Sequence, residues 1–195
     1  MGNTKEEILT VALHLFARDG YEAVSVSRIA GELGMTKGAL YRHYQNKRDI
    51  FEHIVKRMEQ GDSEQAEKNN VPEEEMEKDP EKYQETTMED FLEYSKSMFK
   101  YWTEDDFASS FRKLLTLEQF RNEEMQGLYQ QYLASGPVGY VKDLFQSMGI
   151  ADADYKAVQF YAVMYLYYSI YDGAKEKEKV TKELETALNE MIREF

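Results

Sequence analysis

The sequence predicts an all-α protein in which a short N-terminal helical domain is followed by a longer helical domain. Apolar residues recur at helical spacing through most of the 195 residues, and only three prolines interrupt them. Two short helical patterns separated by Gly34 occupy residues 24–51, which is typical of a helix-turn-helix. Residues 153–174 are apolar around nearly their whole circumference, which indicates a helix buried on several sides. We therefore expect one domain at residues 1–56 and a second at residues 57–195.

The first half of the helix-turn-helix pattern places its apolar residues on one face of a helix. Positions spaced i, i+3, i+4 and i+7 are occupied by Val26, Ile29, Ala30 and Leu33. Gly34 is expected to end this helix, because glycine readily adopts the positive φ found at many helix C-termini. Thr36 is expected to cap the following helix by accepting hydrogen bonds from its exposed backbone N–H groups.

The second half predicts a helix over residues 37–44 whose exposed face can enter a DNA major groove. Leu40 and Tyr44 form its buried side. A glycine inside a helix costs roughly 1 kcal/mol relative to alanine, so its presence favours a close approach of the backbone to base edges. Hydrogen-bond donors follow, and base edges and phosphates accept hydrogen bonds. The exposed residues are Lys37, Gly38, Ala39, Tyr41, Arg42 and His43.

A third helical segment opens at Asn46, which is expected to be its N-cap, with Asp49 three residues further on. Lys47 then lies at a helix start, where the macrodipole disfavours a positive charge. A nearby phosphate would explain a lysine in this position. The pattern therefore predicts that Lys47 contacts the DNA backbone.

Four motifs in a fixed order extend this interpretation over residues 4–56. They are an amphipathic first helix, a Gly20-Tyr21 turn, a Ser-Val-x-x-Ile-Ala segment that starts at Ser25, and a Lys-Gly-x-Leu-Tyr-x-His-Tyr-x-x-Lys run that ends at Lys47. As an ordered set they resemble the N-terminal domain of the TetR family of bacterial transcriptional regulators. One departure is Tyr44, where the family usually has phenylalanine, and it is expected to put a hydroxyl near the domain surface.

The resemblance implies a DNA interface that can be assigned residue by residue. In that family the residues matching Ser25, Tyr41, His43 and Lys47 bind phosphate oxygens, and those matching Lys37, Gly38 and Arg42 face the bases or nearby phosphates. For His43, the sequence alone leaves an ordinary surface or core histidine as the alternative. The full candidate set for DNA binding is Ser25, Ser27, Thr36, Lys37, Gly38, Ala39, Tyr41, Arg42, His43 and Lys47.

The charge is divided unevenly along the chain. The formal net charge is −13 at pH 7, yet residues 1–58 contain nine Lys and Arg against seven Asp and Glu. The other residues contain fifteen Lys and Arg against thirty Asp and Glu. Such a distribution would orient the protein on a duplex, because phosphate repels the acidic body. The alternative is an acidic surface that only aids solubility.

Residues 60–88 are predicted to contain the end of the fourth helix followed by a mobile acidic loop, at about residues 60–87. It carries Pro72 and three consecutive glutamates at residues 73–75 but few large apolar residues. An interaction tail for a basic partner is the alternative. Beyond this segment, helices are predicted to start at Thr87 with Asp90, at Thr103 to Asp106, and at Asn122. Gly136-Pro137 is expected to interrupt or kink the last of these helices.

The apolar stretch at residues 153–174 and the final helix predict a dimer interface. One face of the stretch carries small and aliphatic residues that suit close packing, and the final helix carries an apolar stripe with a charged reverse side. Two such helices from each of two subunits would form a four-helix interface, as the family resemblance also implies. The candidate interface residues are Ala162, Leu166, Ser169, Gly173, Leu184, Leu188 and Met191.

Fifteen tyrosines, ten phenylalanines and ten methionines predict an aromatic cavity for a small-molecule effector in the second domain. Buried tyrosines need hydrogen-bond partners, and methionine adapts to irregular shapes. Ordinary core packing is the alternative for each of these side chains. The candidate pocket residues are Phe99, Trp102, Phe111, Tyr129, Phe160, Met164, Tyr167 and Tyr171.

Several classes of chemistry are disfavoured. The chain has no cysteine, and its three histidines do not form a metal-ligand spacing, so we expect no metal, no cofactor and no enzymatic activity. Charges come too early for a signal peptide, and no apolar run reaches the roughly 18 residues of a membrane span. A cytoplasmic protein is therefore expected.

Together these patterns predict a homodimeric transcriptional regulator, a repressor that binds a pseudo-palindromic double-stranded DNA operator and is released by a small hydrophobic or aromatic effector. The main alternative is a DNA-binding protein that has no small-molecule effector and is controlled by protein contacts. An enzyme with a DNA-binding domain is the third class, and its catalysis would have to depend on carboxylates and tyrosines.

Overall fold

A computed structural model describes residues 4–195, and every regular element within them is an α-helix, which confirms the all-α prediction. In chain order the helices of this part are α1 (Thr4–Asp19), α2 (Val26–Glu32), α3 (Lys37–Leu40), α4 (Lys47–Lys68), α5 (Pro80–Glu85), α6 (Met88–Glu104), α7 (Asp106–Glu118), α8 (Glu123–Leu133), α9 (Ser135–Ser147), α10 (Ala153–Gly173) and α11 (Lys177–Arg193). None of these helices has the length and apolar character needed to cross a bilayer.

The helices pack into two compact units. Unit 1 comprises residues 4–61 together with Asp106–Tyr129, and unit 2 comprises Asp62–Asp105 and Gln130–Phe195. The division falls inside α4 rather than at the expected boundary after residue 56. The physical reason for the difference is that α7 packs along α1, so a segment distant in sequence completes the N-terminal core.

The core of unit 1 is centred on three rings. Phe16 and Tyr21 meet edge to face with their ring centroids 5.0 Å apart, and the Tyr21 ring lies 5.4 Å from that of Phe51. Fully burying one such side chain stabilises the fold by about 1.5–3 kcal/mol. The surrounding core residues are Ile8, Leu13, Ile29, Leu40, Ile54, Phe111 and Leu114.

The core of unit 2 forms around α10, which packs against α6, α9 and α11. Phe160 on α10 lies 4.8 Å from the ring of Phe91 and 6.0 Å from that of Phe145. Tyr161 is also buried, and its hydroxyl donates a hydrogen bond to the carbonyl oxygen of Leu133 at 3.0 Å. Three helices therefore pack against α10, but Tyr155, Val158 and Leu166 are exposed on its remaining face, so the helix is less buried than the sequence predicted.

A helix begins at each of the three predicted starts, but one of them does not use the expected cap. Thr87 and Asp90 form the reciprocal capping box of α6, and the Asn122 side chain accepts a hydrogen bond from the backbone N–H of Met125. Thr103, however, lies inside α6, where its hydroxyl donates to the carbonyl oxygen of Phe99 at 2.7 Å. A threonine can satisfy its hydroxyl within a helix, so the capping signal was misread. A break between α8 and α9 lies just before Gly136-Pro137, as expected.

The segment at residues 60–87 contains the end of the fourth helix and a loop at residues 69–79, as predicted, but also a short helix that was not expected. Helix α4 continues to Lys68, and α5 begins at Pro80 after Asp79, whose side chain accepts a hydrogen bond from the backbone N–H of Lys82. Tyr83 is only 1% exposed and anchors α5 in unit 2. A single buried aromatic therefore holds a segment whose composition alone suggested a loop.

Candidate nucleic-acid interface

Two hydroxyl side chains cap the helices of the helix-turn-helix. The Ser25 Oγ accepts a hydrogen bond from the backbone N–H of Arg28 at 3.2 Å, and the Thr36 Oγ1 accepts one from the N–H of Ala39, also at 3.2 Å. Gly34 lies between the two helices with a φ of +64°. The predicted turn glycine and the predicted Thr36 cap are confirmed. Each hydroxyl still has its own hydrogen with which to bind a phosphate oxygen.

The second helix is shorter than expected. α3 ends at Leu40, and residues 41–43 form a turn rather than a further helical turn. Leu40 and Tyr44 are buried, as predicted. The Tyr44 hydroxyl, expected near the domain surface, instead donates to the carbonyl oxygen of Lys5 at 3.2 Å and so links this turn to α1.

The candidate DNA-binding residues lie on α2 and α3, in the adjoining turns and at the start of α4. Lys37 and Tyr41 lie close, with Nζ 5.6 Å from the ring centroid, and the Tyr41 side chain is exposed. Nothing but the Thr36 hydroxyl oxygen comes within 4 Å of a methyl group built on Gly38, so the surface is open there. All ten candidates are exposed or half-buried: Ser25, Ser27, Thr36, Lys37, Gly38, Ala39, Tyr41, Arg42, His43 and Lys47.

The cations around this surface fall into two groups. Within residues 4–195, Lys37 and Arg42 form no ion pair. Arg28 is paired with Asp19, with Nη2 2.8 Å from Oδ2, and hydrogen bonding from Arg18 lowers the pKa of Asp19. The pairing fixes α2 against the end of α1, whereas the two unpaired cations remain available to phosphate or to bases.

Arg48 is held by two glutamates of unit 1. Its guanidinium binds both carboxylate oxygens of Glu124, with Nη2 2.5 Å from Oε1, and its Nε donates to Glu52 at 2.9 Å. The hydrogen bonds to Glu124, followed by those to Glu52, raise the pKa of Arg48. A bidentate pair of this kind holds the start of α4 in a defined orientation.

Lys47 has internal partners that the sequence did not indicate. Its Nζ donates to the carbonyl oxygen of Tyr21 at 2.8 Å, lies 3.4 Å from Glu22 Oε2, and sits 4.2 Å above the Tyr21 ring. The side chain is 22% exposed. These contacts explain a lysine at the start of α4 without DNA, so its phosphate contact stays a prediction.

A buried carboxylate from α7 completes this arrangement. Glu118 is 3% exposed, and its Oε1 accepts a hydrogen bond from the backbone N–H of Tyr21 at 3.3 Å. Gly20 has a φ of +89°, and a methyl group built there would lie 2.8 Å from the same oxygen. The backbone of Tyr21 is therefore held at its N–H by Glu118 and at its carbonyl oxygen by Lys47. Sequence analysis missed Glu118, because nothing in the local pattern distinguishes it from an exposed glutamate.

The residues predicted for an effector pocket do not form one group. Phe111 and Tyr129 lie in unit 1, whereas the other six lie in unit 2. Phe99 stacks on Tyr168, with ring centroids 5.4 Å apart, and meets Tyr171 edge to face at 5.7 Å. Seven of the eight candidates are buried, and Tyr167 is half-buried. Their role in effector binding stays a prediction.

Tyr167 borders an open depression of about 970 Å³ beside the start of α11. The rest of its lining is mainly charged, and includes Lys175, Lys182 and Glu183. This composition differs from the apolar cavity that the sequence predicted.

The predicted dimer residues divide between the surface and the core. On α10, Ala162, Leu166, Ser169 and Gly173 are exposed, whereas Met191 on α11 is half-buried. Leu184 and Leu188 are fully buried inside unit 2, so their assignment to a dimer interface is wrong. The apolar stripe of α11 packs on α10 and α6 of the same chain and is not available to a partner.

Further apolar residues on α10 were missed by the sequence analysis. Besides the predicted Leu166, which is 57% exposed, Tyr155, Val158, Tyr165 and Ile170 are exposed. They continue the exposed stripe at helical spacing, which was the available signal. Apolar residues occur on every face of this helix, so the sequence could not show which face packs against the core and which is exposed.

Comparison with known proteins identifies the N-terminal segment. The profile described as "Bacterial regulatory proteins, tetR family" matches residues 8–54, which run from α1 into α4. The N-terminal segment of the chain is therefore similar to the DNA-binding region of that family. The chain is 43% identical over 51 residues to the HTH-type transcriptional regulator AcrR of Shigella flexneri. The match covers 26% of this chain and 24% of AcrR, so the chain spans about a quarter of this curated relative's length.

Solved structures resemble the chain over nearly its whole length. A transcriptional regulator of Aquifex aeolicus VF5 has a TM-score of 0.71 at 18% identity, covering 96% of this chain and 98% of that one. The complex of SmeT from Stenotrophomonas maltophilia with triclosan has a TM-score of 0.68 at 18% identity, covering 98% and 91%. A regulator of Saccharomonospora viridis in complex with choline has a TM-score of 0.64 at 17% identity, covering 99% and 97%. At these identities the similarity shows the fold, an N-terminal helix-turn-helix domain followed by a helical domain.

Proposed function

We propose that the chain is a cytoplasmic, homodimeric transcriptional repressor that binds a pseudo-palindromic operator and releases it when a small hydrophobic or aromatic effector binds. The observation that carries the proposal is the exposed side of α2 and α3, where Lys37 and Arg42 form no ion pair within residues 4–195. Small residues next to Lys37 allow the backbone to come close to base edges. Phosphate contacts position such a domain, and base contacts provide its specificity.

Selection of bound DNA from a random pool tests the DNA-binding part of the proposal. We expect two half-sites related by a two-fold axis, with centres about 34 Å apart or somewhat more along the duplex. Lys37→Ala should change the preferred base at one position in each half-site. Lys113→Ala, which removes an exposed lysine of α7, is the matched control and should leave the preference unchanged. Failure to enrich any sequence would contradict the proposal, and uniform weakening by Lys37→Ala would exclude base reading by that residue.

The exposed apolar stripe of α10 supports a homodimer. A row of exposed residues that includes Tyr155, Val158, Leu166 and Ile170 is unusual on a surface that faces water alone. A two-fold dimer also doubles the length of DNA read by one short helix. Light scattering on the eluting protein should give the mass of a dimer for the wild-type chain and of a monomer for Leu166→Glu. Leu117→Glu, at an exposed leucine of α7, is the control and should remain a dimer. If both variants were monomeric, or if neither were, this interface would be contradicted.

Effector binding is supported by the fold neighbours and by the aromatic content of unit 2. One neighbour binds triclosan and another binds choline, both within the same overall fold. A change in the separation of two DNA-binding domains needs only a few kcal/mol of differential binding to release an operator. Compounds that release a selected operator would identify the effector. We propose that the protein is not an enzyme. Chemical turnover of a bound compound would contradict this proposal.

The alternative, a DNA-binding protein controlled by protein contacts, is favoured by one observation. Phe99, Phe160 and Tyr171 pack against other rings of unit 2, as side chains of a filled core do. Release of the operator by a small molecule would exclude this alternative. Release only by a second protein would favour it.

A further inference from the structure

Lys47 carries a positive charge that core residues of unit 1 hold in a fixed position. Its Nζ donates to the carbonyl oxygen of Tyr21 at 2.8 Å and lies 4.2 Å from the centre of the Tyr21 ring. That ring packs against Phe16 and Phe51, with centroids 5.0 and 5.4 Å away. The backbone N–H of Tyr21 is bound by the buried Glu118. The ammonium group of Lys47 therefore has little freedom to move.

Glu22 is a partner of Lys47 of a different kind. Its Oε2 lies 3.4 Å from Lys47 Nζ, and its side chain is 81% exposed in the turn between α1 and α2. An ion pair with so exposed a carboxylate contributes little to stability. The Glu22 side chain can therefore leave Lys47 at a small cost, whereas the contacts with Tyr21 belong to the core.

The directions from which an anion can reach Lys47 are limited. An ammonium group has three N–H donors, of which one binds the Tyr21 carbonyl oxygen. The buried Tyr21 ring covers another side of the ammonium group. An anion from solvent must therefore bind where the exposed carboxylate of Glu22 lies. Carboxylates and phosphates both bind an ammonium group through anionic oxygens, so Glu22 and a DNA phosphate compete for the same donors.

Two other candidate cations of the DNA-binding surface have no such carboxylate. Lys37 and Arg42 form no ion pair among the residues that the structure describes. Arg48, next to Lys47, is already bound by Glu52 and Glu124. Within this surface, competition with phosphate is therefore expected at Lys47 and not at Lys37 or Arg42.

We propose that Glu22 is an autoinhibitory contact: in the free protein its carboxylate occupies the position that a DNA phosphate takes at Lys47. DNA must displace this carboxylate, and the displaced charge still repels the duplex. Glu22 thus lowers the affinity for every duplex, because a phosphate contact carries no sequence information. This role rests on the proposed function, since it requires that Lys47 meets DNA.

Fluorescence anisotropy over a salt series tests the contact, with the operator selected from a random pool and an unrelated duplex of equal length as the two probes. Glu22→Gln should bind both duplexes about three- to tenfold more tightly than the wild type at low salt. Its plot of log K against log salt should be steeper by up to about one unit, because Lys47 is left free to neutralise a phosphate. The matched control is Glu7→Gln, which removes an exposed acid of α1 and changes the net charge equally. It should stay within about twofold of the wild type.

A second background separates a local contact from general repulsion between Glu22 and DNA. Lys47→Gln removes the positive charge but keeps an amide that can donate to the Tyr21 carbonyl oxygen. Adding Glu22→Gln to this variant should improve binding by less than about twofold, because the two residues act through one contact. An undiminished gain in this background would overturn the proposal.

Two further results would overturn the role of Glu22: no gain in affinity for Glu22→Gln, or an equal gain for Glu7→Gln. If the wild type still bound the selected duplex, the proposed function would stand in either case. If neither the wild type nor Glu22→Gln bound any duplex, both proposals would be overturned. Misfolding cannot imitate the expected result, because a misfolded variant would bind DNA more weakly.

Discussion

The carboxylate of Glu118 accepts a hydrogen bond from the backbone N–H of Tyr21, although 97 residues separate them in sequence. The carbonyl oxygen of the same tyrosine accepts a hydrogen bond from Lys47 Nζ at 2.8 Å. The loop between α1 and α2 is thus bound by α7 and by the first residue of α4. Because α2 follows this loop, the position of the DNA-binding surface depends on a side chain that lies outside the N-terminal sequence motif.

Glu118→Ala is expected to lower the free energy of unfolding by about 1–3 kcal/mol, because the buried N–H of Tyr21 loses its acceptor. Urea unfolding measures this loss. Glu118→Gln keeps an oxygen acceptor and should lose less. DNA affinity should fall with the alanine variant, since α2 is less firmly held. Equal stability of the alanine variant and the wild type would show that the contact does not support the loop.

Gly20→Ala is expected to destabilise the fold by at least about 1–2 kcal/mol, because alanine is strained at a φ of +89°. Its methyl group would also lie 2.8 Å from Glu118 Oε1. The control is Gly31→Ala, where nothing lies within 4 Å and the helix should gain roughly 0.5–1 kcal/mol. Thermal unfolding of both variants compares them directly. A neutral effect at Gly20 would be incompatible with the observed turn.

Lys47→Ala is expected to weaken DNA binding across all sequences. If Lys47 contacts a phosphate, the slope of log K against log salt should fall by about one unit. Lys56→Ala, which removes an exposed lysine further along α4, should leave the slope unchanged. Fluorescence anisotropy over a salt series makes the measurement. A lower affinity with an unchanged slope would mean that Lys47 acts only by holding Tyr21.

Asp62→Asn is expected to change how stability depends on pH. The folded chain holds the Asp62 proton more tightly than the unfolded chain, because burial raises the pKa of this carboxyl from 3.8 to about 7. The wild type should therefore lose stability as pH rises from about 4 to 7, by on the order of a few kcal/mol, with no further loss from this group above pH 7. Urea unfolding at pH 5 and pH 8 should show a smaller decrease for Asp62→Asn. Parallel pH profiles of the two proteins would mean that the carboxyl is not desolvated.

Much of the N-terminal domain is predictable because its signals are local. The Thr36 and Asn46 caps, the turn at Gly34 and the buried Leu40 all depend on residues within a few positions of one another. The misread Thr103 has a local signal too, but a hydroxyl inside a helix can satisfy itself on the preceding turn. Local patterns therefore indicate that a cap is possible, and packing decides whether it is used.

By itself, the sequence determined the helical class, the helix-turn-helix and the residues exposed on it. These follow from periodicity, capping and small residues in short segments, where each residue acts on near neighbours. Only the tertiary structure decided that Leu184 and Leu188 are core, that Glu118 and Lys47 hold Tyr21, and that one oxygen of Asp62 is buried without a hydrogen-bond partner. Burial and pairing depend on contacts between residues that are far apart in the sequence. A local sequence pattern does not indicate which distant residues come into contact.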